Sequence, residues 1–285
     1  MAKERTSQQI LLLLQIATVS VFAGRAYQHL FWDAPLREFL WDPFWMQGFV
    51  QKILGMTWEQ YVSNSAGDVW IQRLIFAEGI FYAICASVVI FIRWFPGKGW
   101  WLLYAGAANL VLLAFAYQKD LFYHVGQFFE YTLQFSSPVF LVFFLKKKSI
   151  TSRLEFWMKV AVALTFACHG LYALGYYPRP GSYYVMTQHI FGFGESGMVH
   201  FLNTAGALDL VVSAGIFIPW RGARWLLVYA AAWGMATSLA RIFGNFFWEF
   251  PLESLHQWTY EAVFRLPHFL VPLALFLWLQ NQPVK

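Results

Sequence analysis

Ionisable side chains interrupt the long apolar runs of this sequence at spacings that place them on one helix face. Arg25 and His29 are one helical turn apart near the end of the first apolar run. A charged group at the centre of a helix in lipid costs roughly 2.5–3.5 kcal/mol or more, so such groups normally face a bundle interior. Arg25 would then bind an anionic or carbonyl group while His29 moves a proton. The alternative is an arginine that extends to the surface beside the charged loop that follows.

His169 and several charged residues occupy comparable positions in later apolar runs. His169 lies at the same depth in the fifth run as Arg25 in the first, and either proton transfer or packing would explain it. Asp209 interrupts the sixth run, where a paired charge that holds helices together is the alternative, since buried charges need partners. The residues expected to bind a ligand are Arg25, Arg73, Glu78, Asp209, Arg241, His124 and His256.

Polar residues also recur at helical intervals before two of the apolar runs. The first set would form one stripe if its segment is helical: Asp120, His124, Gln127, Tyr131 and Gln134. The second set has the same property, with His256 adjacent: Glu253, Gln257, Glu261 and Arg265. We expect Glu130 and Glu261 to face one another, so that one carboxyl holds a proton and the pair performs acid–base chemistry. A pair of amphipathic surface helices is the alternative. The expected catalytic residues are His29, His169, Glu130 and Glu261.

Other chemistries find no support in the residue spacing. The sequence has no HxxxH or HxxE arrangement of the kind that fixes a catalytic metal, so no metal site is expected. Glycine-rich phosphate loops, nucleophile elbows and nucleic-acid motifs are also absent, so no nucleic-acid partner is expected. Cys85 and Cys168 stand inside apolar runs and are expected to be packed core thiols.

The composition shows which elements must carry these residues. Hydrophobic residues make up 59% of the chain and charged residues 12%, whereas a soluble globular protein has about 25% charged residues. Several runs reach the roughly 18 residues that cross a bilayer as a helix. We therefore predict an all-α fold, a polytopic membrane bundle of about eight transmembrane helices. They are expected at 10–31, 70–93, 100–118, 128–145, 155–176, 200–219, 224–243 and 262–280.

The basic residues predict the orientation of this bundle. When eight spans are threaded, one side receives Lys3, Arg5, Arg93, Lys98, Lys146, Lys147, Lys148, Arg153, Arg221, Arg224 and Lys285. The positive-inside rule makes that side cytoplasmic, so we expect a multi-pass protein of the cytoplasmic (inner) membrane with both termini in the cytoplasm. The other side receives the long connections, with short interfacial helices expected around 45–62 and 183–193. Because all seven histidines fall toward that side, we expect a polar cavity open to the extracytoplasmic side.

Segments in the first half of the sequence resemble segments in the second half. Residues 17–30 can be laid on 161–174, 100–105 on 225–230, and 127–130 on 258–261. Two four-helix repeats follow, 1–148 and 149–285, within one compact membrane domain. Because each half crosses the membrane an even number of times, the repeats are expected to be parallel.

The second half resembles a known family. The residues that carry the likeness are Cys168-His169-Gly170-Leu171, Ala205-Gly206-Ala207-Leu208-Asp209-Leu210, Gly215 and Pro219-Trp220-Arg221-Gly222-Ala223-Arg224. Over about 120 residues they resemble the DoxX-like family, in which Glu commonly stands where this chain has Asp209. Its relatives include the small membrane subunit of thiosulfate:quinone oxidoreductase. The segment 25–42 is also similar to the horizontally transferred transmembrane domain of vitamin K-dependent carboxylases. Both resemblances imply a quinone-type ligand.

Three functions fit these observations. The first is a quinone-linked redox subunit whose quinone carbonyls bind His29, Arg25 or His169; a haem held by two outer histidines ranks below quinone as the cofactor. The second is a non-catalytic membrane subunit that docks an extracytoplasmic or larger membrane complex through outer aromatic residues. The third is a small-molecule transporter, although the inner half of the helices is too apolar for an inward path. Besides the lipid bilayer, a membrane or extracytoplasmic protein is the expected partner.

Overall fold

Long helices form where the sequence runs apolar, and they end at glycine, proline or polar clusters.

The computed structural model describes residues 2–94, 97–220 and 222–281, without the side chains of Ala2, Lys3, Arg93 and Lys98. Of the basic residues that predict the orientation, Arg221 and Lys285 therefore lie outside the described residues, as do the side chains of Lys3, Arg93 and Lys98.

Within the described residues, eight helical segments are long and apolar enough to cross a membrane. Two of them are interrupted, so ten helices make up the eight spans: α1 Ala2–Phe31, α5 Ser65–Ile90, α6 Lys98–Asp120, α7 Val125–Glu130 with α8 Thr132–Lys147, α9 Ser152–Leu174, α11 Glu195–Gly215, α12 Ala223–Phe243, and α13 Pro251–Arg265 with α14 Pro267–Gln280. The predicted all-α polytopic bundle is confirmed. The observed helices begin up to 11 residues earlier than expected, the largest difference being Pro251 against 262, because polar and charged residues before the apolar runs are also helical.

Short helices fill the long connections between spans. They are α2 Arg37–Leu40, α3 Pro43–Phe49, the π-helix Val50–Leu54, α4 Trp58–Val62 and α10 Gly181–Phe191. Local sequence explains their starts: the Asp42 carboxylate accepts the Phe44 N–H at 2.7 Å, and Thr57 and Gln60 form a capping box. Helices thus lie at both of the places where short interfacial helices are predicted.

The connections divide the bundle into two ends. We call the end with the connections 32–64, 121–124, 175–194 and 244–250 the long-loop side. The opposite end, with residues 91–94, 148–151 and 216–220, the start of α1 and the end of α14, is the short-loop side. The described basic residues Lys146, Lys147, Lys148 and Arg153 lie on the short-loop side. This is the end that the sequence predicts to be cytoplasmic.

The helices pack in the same order in both halves. In the first half α5 packs on α1, and in the second half α11 packs on α9. Between the halves α1 packs on α13 and α14, while α9 packs on α7 and α8. The first and last spans of each half therefore form the centre of the bundle, and the other spans surround them. The two parallel repeats and their division at residue 148 stay predictions.

Glycines bring the helix backbones together at the seams that carry ionisable residues. A Cβ on Gly170 would lie 2.8 Å from the Gly206 carbonyl oxygen, and a Cβ on Gly206 would lie 2.8 Å from that of Gly170. Only glycine allows α9 and α11 to approach so closely. His169 and Asp209 flank this contact along their helices. The His-Gly and Gly-Ala-Leu-Asp motifs are therefore the two sides of one helix–helix contact.

Ion pairs fasten the 32–64 connection to the bundle. The Arg37 guanidinium lies 2.7 Å from Asp33 and 2.8 Å from Asp68, and Lys119 Nζ lies 2.8 Å from Asp42. The hydrogen bond from Lys119 lowers the pKa of the Asp42 carboxyl below its ordinary value, with the Phe44 N–H acting in the same direction. These contacts hold α2 and α3 against α5 and α6.

Candidate functional site

Two of the spans are interrupted, so helix ends lie in the middle of the bundle. The fourth span breaks at Tyr131, directly after Glu130, and the eighth breaks at Leu266, directly after Arg265. The second break has a clear cause, because Pro267 follows Leu266 and a residue before proline disfavours helix continuation. Glu130 and Arg265 are thus helix-terminal residues inside the bundle, where α7 packs on α9 and α13 packs on α12.

Glu130 and His169 form a close buried pair. The Glu130 Oε1 atom lies 2.7 Å from His169 Nδ1, and Glu130 is 7% exposed. The hydroxyl oxygen of Tyr183, on α10, lies 3.2 Å from the same nitrogen. Burial raises the pKa of the Tyr183 hydroxyl above its ordinary value, so this group stays neutral. Because a carboxylate is a strong acceptor, His169 carries its proton on Nδ1, and its Nε2 lone pair remains available as a base.

Two arginines and a second histidine complete the polar cluster. Arg241 Nη1 lies 3.5 Å from Glu261 Oε2. The His268 ring lies 5.4 Å from the His169 ring, and His268 Nδ1 lies 2.7 Å from the Arg265 carbonyl oxygen. This carbonyl can only accept, so His268 Nδ1 donates and its Nε2 atom presents a lone pair.

A cavity of about 380 Å³ opens beside this cluster. Its polar lining includes His169, Tyr183, Asp209, Arg241, Arg265 and His268. The lining residues that are exposed are all apolar: Ile190, Phe191, Ala236, Leu239 and Phe243. Three of these lie on the outer face of the α12 span, so the mouth faces sideways, where lipid would surround the bundle. The volume falls within the range of small-molecule sites.

Several buried polar atoms of the lining have no hydrogen-bond partner among the described residues. They are Asp209 Oδ1, His268 Nε2 and Arg265 Nε. Asp209 and His268 are each 3% exposed. Buried polar atoms are bonded in the great majority of cases, so these atoms point to a polar ligand or ordered water. They offer both acceptors and a donor.

Arg25 lies outside the cavity lining. It is 1% exposed, and its guanidinium donates to Gln28 and Gln134 side-chain oxygens at 2.7 Å each. The guanidinium carbon lies 3.8 Å from the centre of the Phe264 ring. Among the described residues no carboxylate forms an ion pair with Arg25. The arginine therefore joins α1, α8 and α13 by hydrogen bonds and a cation–π contact.

His29 also lies outside the cavity lining, against α5. Its Nδ1 atom lies 2.7 Å from the Arg25 carbonyl oxygen and its Nε2 atom 3.6 Å from Glu78 Oε2. Nδ1 donates to the carbonyl oxygen, so Nε2 is the atom that faces the Glu78 carboxyl group. A proton on either Nε2 or the carboxyl allows a bond between them, and without that proton the two groups repel. This pair belongs to the α1–α5 contact, where Gly79 lies against Leu30 and His29.

The expected pairing of Glu130 with Glu261 is not the pairing observed. Each carboxylate contacts a different cationic or titratable group, His169 for Glu130 and Arg241 for Glu261. The segment 120–134 is not one helix either: α6 ends at Asp120, and residues 121–124 form a turn in which Phe122 and Tyr123 have φ of 52° and 60°. Its polar residues therefore do not form one continuous stripe.

The remaining candidates lie apart from the cavity. Arg73 is exposed beside Trp70. His124 stacks on Tyr177 at 5.0 Å. His256 is exposed and hydrogen-bonds Tyr27. None of these three lines the cavity.

The structure adds lining residues that sequence reasoning did not select as site residues. In the sequence Arg265 is only one member of a polar stripe, and His268 is only one of seven histidines. Their i, i+3 spacing across Pro267 was the signal available. Tyr183 had no such signal, because its segment is joined to α9 by a loop whose path the sequence does not define.

The eight spans and the polar cluster buried among them define this chain as a multi-pass integral membrane protein of the all-α class. No protein-family model matches the chain, and no curated protein and no solved structure matches it either.

Proposed function

We propose that the protein binds a lipid-soluble quinone in this cavity and exchanges a proton with its head group through His169, as a quinone-linked redox subunit. The supporting observation is the contrast between the two ends of the cavity. Its exposed lining residues are all apolar, while its inner wall holds buried polar atoms that have no hydrogen-bond partner among the described residues. A quinone has the same two ends, a polar ring and an apolar tail.

The inner wall suits a ligand that interconverts between acceptor and donor. Quinone carbonyls need donors, which Arg265 Nε offers, and quinol hydroxyls need acceptors, which His268 Nε2 and Asp209 Oδ1 offer. Phe166, Phe201 and Trp233 supply flat apolar walls for a ring.

His169 is the residue best placed to accept a quinol proton. Its side chain is 19% exposed and lines the cavity, and its Nδ1 proton is held by Glu130. When Nε2 takes a proton, the imidazolium is stabilised by this carboxylate at 2.7 Å. Electrons would pass to a partner protein, in keeping with the resemblance of residues 168–224 to the DoxX-like family.

Direct binding tests the proposal. Purified protein in nanodiscs is titrated with a short-chain quinone, with quenching of tryptophan fluorescence as the readout, and bound native lipids are extracted and identified by mass spectrometry. We expect saturable binding that Ala236→Trp, at the mouth, weakens or slows. Ala232→Trp is the matched control, because Ala232 is exposed one turn away on α12 and does not line the cavity. Binding no stronger than partition into empty nanodiscs would refute the proposal.

His169→Gln tests the polar end of the same site. Loss of the hydrogen bond from a quinol hydroxyl to the neutral Nε2 atom costs about 0.5–1.5 kcal/mol, so the affinity for the short-chain quinol should fall by about two- to tenfold. His256→Gln is the control, since His256 is exposed away from the cavity. Equal affinity in both variants would remove His169 from the site.

Exposed aromatic residues support a second candidate, a non-catalytic subunit that docks a partner. Trp248 is 85% exposed and Phe250 63% exposed, both beside the α12–α13 connection on the long-loop side. Such a surface suits a protein contact or the lipid interface. A stable partner that co-purifies with a quinone-free protein, and is lost in Trp248→Ser, would favour this candidate.

A further inference from the structure

Two more buried polar atoms lie along the α7–α9 contact, between the Glu130–His169 pair and the long-loop side. Tyr172 is 2% exposed, and its hydroxyl has no hydrogen-bond partner among the described residues. The same holds for the buried Nδ1 atom of His124. The proposed quinone site uses neither residue.

These residues form a connected series. The centre of the Tyr172 ring lies 6.4 Å from that of His124, and the Tyr177 ring lies 5.0 Å from each of them. At its inner end Tyr172 lies three residues after His169 on α9, so the two side chains are neighbours on that helix. At the outer end, His124 directly precedes α7. This helix has six residues, spans about 9 Å and ends at Glu130.

Water is the remaining partner for the two unbonded atoms. A buried hydroxyl or ring nitrogen is rarely left without a hydrogen bond, and ordered water satisfies those that the protein does not. The lipid-facing mouth of the cavity is apolar, so it offers no route for bulk water. A route along α7 would begin at the exposed connection 121–124.

We infer that Tyr172, His124 and the water between them carry protons between the Glu130–His169 pair and the long-loop side. The inference rests on the proposed function for the source of the proton. The O–H bond of a quinol hydroxyl breaks as its proton binds His169 Nε2, which leaves a quinolate. The Nδ1 proton then passes to a Glu130 oxygen, and His169 keeps its proton on Nε2. The Glu130 carboxyl returns to carboxylate when that proton leaves through the water at Tyr172. No electron moves in these steps.

Charged and titratable groups surround Glu130 on every side that packs against it. They are His169, Cys168 and Tyr172 on α9, Tyr131 after α7, Tyr183 on α10, Arg241 on α12, and Arg265 and His268 beside the α13–α14 break. Arg241 and Arg265 supply the positive charge of this set.

Proton exchange at His169 tests this path without electron transfer. The full chain, with ¹⁵N-labelled histidine, is placed in nanodiscs, and NMR measures how fast the His169 ring proton exchanges with water; His169→Gln assigns the signal. We expect Tyr172→Phe to slow this exchange by about tenfold or more, which corresponds to about 1.4 kcal/mol in the barrier. Tyr176→Phe is the matched control, because Tyr176 is 73% exposed near the same helix end.

A second variant keeps the test decisive. His124→Gln retains a polar side chain but cannot take up a proton, and it should slow exchange in the same way even if Tyr172→Phe fails to fold. Wild-type exchange rates in a folded Tyr172→Phe or His124→Gln protein would overturn the path.

Quinone affinity is measured on the same samples. A wild-type protein that binds no quinone would refute the proposed function, whereas the exchange rates report on the path separately.

Discussion

Gly234 on α12 gives the sharpest test of how the cavity wall is built. A Cβ placed on Gly234 would lie 2.5 Å from the carbonyl carbon of His268 on α14 and 3.0 Å from the Phe269 nitrogen. These are backbone atoms, so no side chain can rotate away. Carbon atoms in contact lie about 3.5 Å apart or more. Gly234→Ala must therefore move α12 and α14 apart by about 1 Å, next to the cavity.

The expected cost follows from this displacement. Inserting a methyl group into a well-packed contact costs about 1–3 kcal/mol. Replacing a helical glycine by alanine also stabilises by about 0.5–1 kcal/mol, because the unfolded chain loses freedom. Gly48→Ala isolates that second effect, since Gly48 is helical and a Cβ there meets nothing within 4 Å. The two variants should differ by about 1–3 kcal/mol in the free energy of unfolding.

Equilibrium unfolding in mixed micelles, with sodium dodecyl sulfate as denaturant, measures this difference. Gly234→Ala should also weaken quinone binding, because the shift moves His268 relative to His169. A Gly234→Ala protein as stable as Gly48→Ala would show that the α12–α14 contact leaves room for a methyl group.

Three further outcomes are expected. Arg25→Gln should destabilise the protein by about 3 kcal/mol or more, since two hydrogen bonds from a charged donor are lost at about 1.5–3 kcal/mol each. In the same unfolding assay Arg73→Gln, at an exposed position, should change the free energy of unfolding little. Equal effects of the two substitutions would show that Arg25 does not join the helices as described. The pKa of Asp42 is lowered in the folded protein, so its stabilising effect is present above its ordinary value of 3.8 and is lost as the pH falls below it. The protection factors of the amides of residues 43–54, which correct for the intrinsic dependence of exchange on pH, should therefore fall at acid pH, and Asp42→Asn should abolish that fall; an unaltered acid response in the variant would contradict the assignment. Cys85 and Cys168 are free and buried, so a polar maleimide should label them only after denaturation, and labelling of the native protein would show that water reaches one of them.

The spans were predictable because they depend on local sequence alone. A helix in lipid satisfies its own backbone hydrogen bonds, so length and apolar content suffice to place it. The sequence also marked His169 and Asp209 as unusual, because ionisable residues inside apolar runs are costly wherever the run lies. The glycines beside them gave a further local signal, since small residues mark helix contacts in membranes.

The partners of those residues depended on the tertiary structure. Glu130 contacts His169 and not Glu261, and Arg25 bonds Gln134 in place of a ligand. Such pairings depend on how each helix is rotated and where it breaks, and the left-handed turn at 121–124 had no glycine to announce it. The sequence by itself therefore determined which segments cross the membrane and which residues are costly there. Only the packing of distant helices decided which of them line the cavity, because each contact joins residues that are far apart in the chain.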